Sequence, residues 1–109
     1  MALVVPKEKA NVFPEWQQAA SEGRLVRTDP KTVRGSGFRK RLTDEQGSPP
    51  KGGFDAGHKI EICVGGIDCA KTNGQWLESG PNRASGPKVY NQVKDDPIGT
   101  VYPYVKLEE

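Results

Sequence analysis

Thirteen glycines and nine prolines interrupt this 109-residue chain, and such residues stop regular elements before they grow long. The expectation is therefore a loop-rich domain of short helices and strands, not a helical bundle. A single domain, 1–109, suits this length, because a second would have too little surface to bury. Only 7% of residues are aromatic, so the core is small and its stability margin modest. The most apolar stretch near the N-terminus, Leu3 to Val5, is ended by Pro6 and Lys7. Neither a signal-peptide core nor a membrane span is expected, and no membrane partner.

The formal net charge is only +2, yet the charges are unevenly placed. Seven basic residues lie between Arg24 and Arg41 (Arg24, Arg27, Lys31, Arg34, Arg39, Lys40, Arg41), against the single acid Asp29. A local positive segment on a nearly balanced chain is the footprint of a surface that meets phosphates, although a merely solvated loop has the same composition.

Local patterns divide the chain into 1–52, 53–93 and 94–109. Pro14 to Glu22 predicts a helix: Pro14 suits its first turn, Gly23 its stop, and Trp16, Ala19 and Ala20 share one buried face. Arg24 to Thr28 and Phe38 to Leu42 read as short extended pieces on either side of a turn-rich stretch, and Gln46 to Gly53 as a surface loop. Phe54 to Cys63 predicts a strand, Gly65-Gly66 a turn, and Lys71 to Leu77 a second extended piece. A helix begins near Pro81-Asn82, with Gly86-Pro87 expected to interrupt it before Val89 to Val93. The tail, Pro97 to Glu109, alternates as an edge strand or ordered extension would. Trp16 and Trp76 are assigned to the core. Cys63 and Cys69, six residues apart, suit either a hairpin disulfide or a reduced pair, and His58 as the sole histidine leaves a zinc site short of ligands.

The chemistry-bearing constellation is Asp55-Ala56-Gly57-His58, with Asn73 fifteen residues after the histidine and Asn82 nine further on. It resembles the His-Asn-Asn form of the HNH, or His-Me finger, nuclease signature. The tetrapeptide is also similar to the Asp-Arg-Gly-His motif of non-specific endonucleases. The wider run, GFDAGH, a Gly-Gly turn, Asn73, Glu78 and Pro81-Asn82-Arg83, resembles GH-E and related nuclease domains of bacterial polymorphic toxins. The likeness covers residues 53–93. It implies a small α+β domain with a ββα-metal core, preceded by an N-terminal helix and a basic, loop-rich segment.

The resemblance implies His58 as general base, Asn82 as metal ligand from the helix, and Asn73 as the residue that holds the strand pair and imidazole in place. Glu78 matches the toxin pattern as a further catalytic carboxylate. Asp55 is assigned to the metal or to a supporting hydrogen bond, because Gly57 stands where some relatives carry a ligand, and Glu61 is a further carboxylate near enough in sequence to support the site or reach the metal. The chemistry of the residue types agrees: a neutral imidazole can take a proton from water, and carboxylate and amide oxygens suit a hard divalent ion. Mg2+ is foremost, with Mn2+ the alternative, acting as Lewis acid and template. Arg83, Arg39, Lys40 and Arg41 are assigned to substrate phosphates. The implied partners are DNA or RNA and a cognate immunity protein, for an effector domain delivered into the cytoplasm of a target cell. The rival reading is a non-enzymatic nucleic-acid-binding module in which Asn73 is a turn residue, Asn82 a helix cap and His58 structural.

Overall fold

The computed structural model describes residues 2–109. Its elements run β1 (Leu3–Val5), a 3-10 turn (Lys7–Val12), α1 (Phe13–Ser21), α2 (Pro30–Val33), α3 (Phe38–Gln46), β2 (Phe54–His58), a 3-10 turn (Ile62–Val64), α4 (Ala70–Asn73), β3 (Gly74–Glu78), α5 (Ser79–Val93) and β4 (Val105–Leu107). This is a small α+β domain, and none of its described helices is long and apolar enough to cross a membrane.

Two separate two-stranded sheets organise the chain. β2 and β3 form an antiparallel ribbon running from Phe54 opposite Glu78 to His58 opposite Gly74. The first and last strands pair in parallel, Leu3 with Val105 and Val5 with Leu107. The Gln92 side chain covers the open edge of β1, donating to the Val4 carbonyl and accepting from the Val4 amide, each at 2.8 Å. Between the sheets lies one core of Val5, Trp16, Leu25, Val64, Val89, Val93 and Tyr102.

α1 has the expected buried face of Trp16, Ala19 and Ala20. Trp16 is fully buried and its indole N–H donates to the Lys59 carbonyl at 2.9 Å. Trp76 is only half-buried: its indole donates to the Gly47 carbonyl and the Arg39 guanidinium lies 4.9 Å from its ring centre.

Four local expectations are corrected. Phe38 to Leu42 is helical, because Phe38 and Leu42 are one turn apart and Leu42 is wholly buried, while Gly37 and Gly47, both with positive φ, bound the helix. β2 ends at His58, where a bond from the Lys59 amide to the Asn73 carbonyl (2.7 Å) closes the ribbon, so the strand does not reach Cys63. Ala70–Asn73 is a helical turn, and β3 begins only at Gly74. α5 continues through Gly86-Pro87: Pro87 removes one helical N–H, but Val89 and Val93 beyond it are fully buried in the core and hold the helix there. Cys63 and Cys69 are free thiols, and burial pushes the Cys63 thiol up to about 11.

The Gly65-Gly66 turn is as tight as the sequence suggests. Gly65 has φ +97°, and a Cβ on Gly66 would fall against the Ile60 carbonyl oxygen, which is backbone and cannot swing aside. Gly66→Ala is expected to cost at least about 3 kcal/mol. Gly52→Ala, where a Cβ meets nothing within 4 Å, is expected to change stability by less than about 1 kcal/mol. Urea midpoints of the two variants against the parent chain check both.

Candidate active site

The ribbon hands its side chains alternately to two helices. Asp55 and Gly57 face α5, whereas His58 faces α3 on the opposite side. Two polar clusters result, one on each side of the end of β2.

On the α5 side, Asn82 sits in the first turns of the helix and its amide N–H donates to Asp55 Oδ2 at 3.2 Å. Ser79 Oγ donates to Asp55 Oδ1 at 2.8 Å, and Arg83 Nε lies 3.3 Å from Oδ2. Ser79, then Asn82, then Arg83 hold the Asp55 carboxyl below its ordinary range. The Asn82 amide oxygen rests against Gly57: a Cβ there would lie 2.8 Å from it and 2.8 Å from Leu77 Cδ1. The glycine of the tetrapeptide thus makes room for the helix asparagine, directly beside the histidine.

On the α3 side, His58 Nε2 lies 2.9 Å from Asp68 Oδ1. Phe38 stacks on the imidazole with ring centres 4.1 Å apart. The other Asp68 oxygen accepts from the Gly35 amide at 2.7 Å and from Arg41 Nη2 at 2.9 Å. Burial works against ionisation of Asp68, yet His58, Gly35 and Arg41 outweigh it and hold its carboxyl down to about 2. His58 itself is 9% exposed. Burial lowers its pKa below the ordinary histidine value, with Arg34 in the same direction and Asp68 and Glu61 opposing.

Asn73 is buried and acts on the backbone. Its Oδ1 accepts from the Ile60 amide (2.9 Å), and its Nδ2 donates to the carbonyls of Ile60 (3.0 Å) and Ile67 (2.9 Å). It thereby ties together the loop between the strands. Lys9, fully buried, donates to the His58 carbonyl and pairs with Glu61 at 3.5 Å.

The sequence-assigned residues are therefore only partly assembled. Asp55, Asn82 and Arg83 come together, but Arg83 pairs with Asp55 and is not a free cation. Asn82 packs on the face of β2 opposite to the one that carries His58, so the ring and the amide point away from one another. Glu78 is exposed at the far end of the ribbon; four residue steps along the strand, about 13 Å, separate it from the His58 position. Glu61 serves Lys9. Arg41 serves Asp68, Arg39 reaches the Phe54 carbonyl (3.1 Å), and Lys40 pairs with Asp44 (3.1 Å). Arg27 is buried, bonding to the Val93 carbonyl at 3.0 Å, so the basic segment is in part structural. Sequence reading missed Asp68 and Phe38; the one available signal was an acid in the loop that the Asn73 motif closes.

Among the described residues no group of three His, Cys, Asp or Glu side chains forms a metal cluster. The Asp55 carboxylate and the Asn82 amide, side by side, are nevertheless the hard oxygen donors that suit a hydrated Mg2+, which needs few protein ligands. Holding it there requires the amide to turn its oxygen to Asp55 and the exposed Arg83 to withdraw. No family model, curated protein or solved structure matches the chain.

The lowered pKa of His58 has a thermodynamic sign. Between the folded and unfolded values only the unfolded chain takes up the proton, so this contribution is complete above the unfolded value and is lost as pH falls toward the folded one. The unfolding free energy is expected to decrease as pH drops from about 7 to about 5.5, and this slope should flatten in His58→Gln. Urea titrations at the two pH values give the comparison.

Proposed function

We propose that this chain is a metal-dependent endonuclease that hydrolyses phosphodiester bonds of DNA, RNA or both without reading base sequence. The observation that carries the proposal is the strand–loop–strand–helix unit: His58 ends the first strand, Asn73 ties the loop, and Asn82 packs its amide on Gly57, the residue before His58. Only the glycine backbone separates the strand position of the imidazole from the Asp55–Asn82 pair. Because ring and amide lie on opposite faces of β2, the scissile phosphate would have to sit at the end of the strand, where it can be approached from both sides.

The imidazole, kept neutral by burial, takes the proton of the attacking water. Asp55 and Asn82 would hold the divalent ion, which supplies charge neutralisation for the phosphate. Lys31, Arg34 and Lys40, exposed on the basic segment, contact flanking phosphates, so binding weakens steeply with salt. Productive binding requires Phe38 to move off the imidazole. The resemblance to polymorphic toxin domains extends the proposal to an effector that acts in a target cell's cytoplasm and is neutralised by an immunity protein.

One observation favours the rival reading, a binding module without catalysis: the ring is covered by Phe38 and faces away from Asn82. Incubation with plasmid and with RNA, in Mg2+ or EDTA, separates the two. Cleavage is expected in Mg2+ only, falling by at least about 100-fold in His58→Ala with the fold retained by circular dichroism. Asn82→Ala should weaken Mn2+ binding measured by titration calorimetry. Salt-sensitive binding with no cleavage in any condition would make the chain a binding module, and unchanged cleavage in His58→Ala would refute the mechanism.

A further inference from the structure

We infer that Asp68 is a positioning residue for His58, holding the imidazole as the Nε2–H tautomer so that Nδ1 is the nitrogen that accepts the proton. The inference deepens the proposed hydrolysis and rests on it for its catalytic meaning, but the tautomer follows from the contacts alone. Asp68 Oδ1 is 2.9 Å from Nε2, and an ionised carboxylate can only accept. The hydrogen therefore sits on Nε2. A neutral imidazole carries one N–H, which leaves Nδ1 with its lone pair, and no described group donates to it.

Asp68 is itself held by two neighbours, at its carboxylate and at its backbone carbonyl. Gly35 N–H and Arg41 Nη2 occupy Oδ2, and Arg41 Nη1 donates to the Asp68 carbonyl at 2.8 Å. With Phe38 stacked on the imidazole, ring rotation is opposed both edge-on and face-on. The charged groups around the ring are Asp68 and Glu61, which favour its protonation, Arg34, which disfavours it, and Arg41, which neutralises Asp68. Lys9 donates to the His58 backbone carbonyl and pairs with Glu61. Two roles that the resemblance implies for Asn73 alone are thereby divided: the asparagine shapes the loop, and the aspartate aims the ring.

Because the chain has one histidine, nitrogen-15 NMR of the imidazole reports this residue alone. The parent protein at neutral pH is expected to show the Nε2–H tautomer. In Asp68→Asn, which keeps the shape of the side chain, the tautomers should mix and the His58 pKa should fall, since a neighbouring negative charge is removed. Cleavage should drop about 10- to 100-fold, the acid limb of its pH profile should move to lower pH, and Mn2+ affinity should not change. Asp68→Ala with retained circular dichroism serves as the second variant. An Nδ1–H tautomer in the parent protein, or an unaltered tautomer and pKa in Asp68→Asn, overturns the inference. The NMR measurement needs no substrate, so an inactive parent protein would refute the hydrolysis while leaving the tautomer assignment to stand on its own spectrum.

Discussion

One carboxamide holds the centre of this molecule. The side chain of Asn73 makes three hydrogen bonds to backbone groups of Ile60 and Ile67, on both limbs of the loop between the two ribbon strands. Each such bond contributes about 1 kcal/mol net, but a buried backbone group left without a partner costs about 1–3 kcal/mol. The loop therefore has little freedom to rearrange around a missing asparagine. His58 lies two residues before one anchored position and Asp68 one residue after the other, so the spacing of ring and carboxylate is inherited from this clamp.

The N-terminal region, which the sequence offers only as an appendage, completes the same structure from behind. Where β2 stops pairing, the carbonyls of His58 and Lys59 need donors. Lys9 supplies the first and the Trp16 indole the second. A fully buried lysine is costly to desolvate, and burial lowers its pKa despite the neighbouring Glu61. Residues 2–52 thus pack directly against the end of the ribbon.

Much of the local architecture was legible in the chain. Pro14, the Trp16–Ala19–Ala20 spacing and Gly23 specify α1, and the order of strand, tight glycine turn, strand and helix around Asp55, Gly57, Asn73 and Asn82 was readable from spacing and from resemblance. The misreadings have physical origins. α3 carries only Phe38 and Leu42 as apolar markers among charged residues, too few to show a helical period against two neighbouring glycines. Gly86-Pro87 looks like a break because local propensity cannot register that Val89 and Val93 are gripped by the core. Asp68 stayed hidden because nothing local marks a carboxylate whose partners, Gly35, Arg41 and His58, are ten or more residues away. Likewise the face on which a strand presents His58 depends on where α3 packs, which alternation alone does not tell.

The pairing of β1 with β4 has a mechanical consequence. These strands run in the same direction and join residues 3–5 to residues 105–107. Tension applied between the two extremities of the polypeptide therefore pulls along the strand axes, and the bonds between them, including Leu3 N–H to Tyr104 O and Glu108 N–H to Val5 O at 2.9 and 2.8 Å, are loaded together in shear and not peeled one at a time. The strand pair thus resists stretching between residues 3 and 107 as a unit.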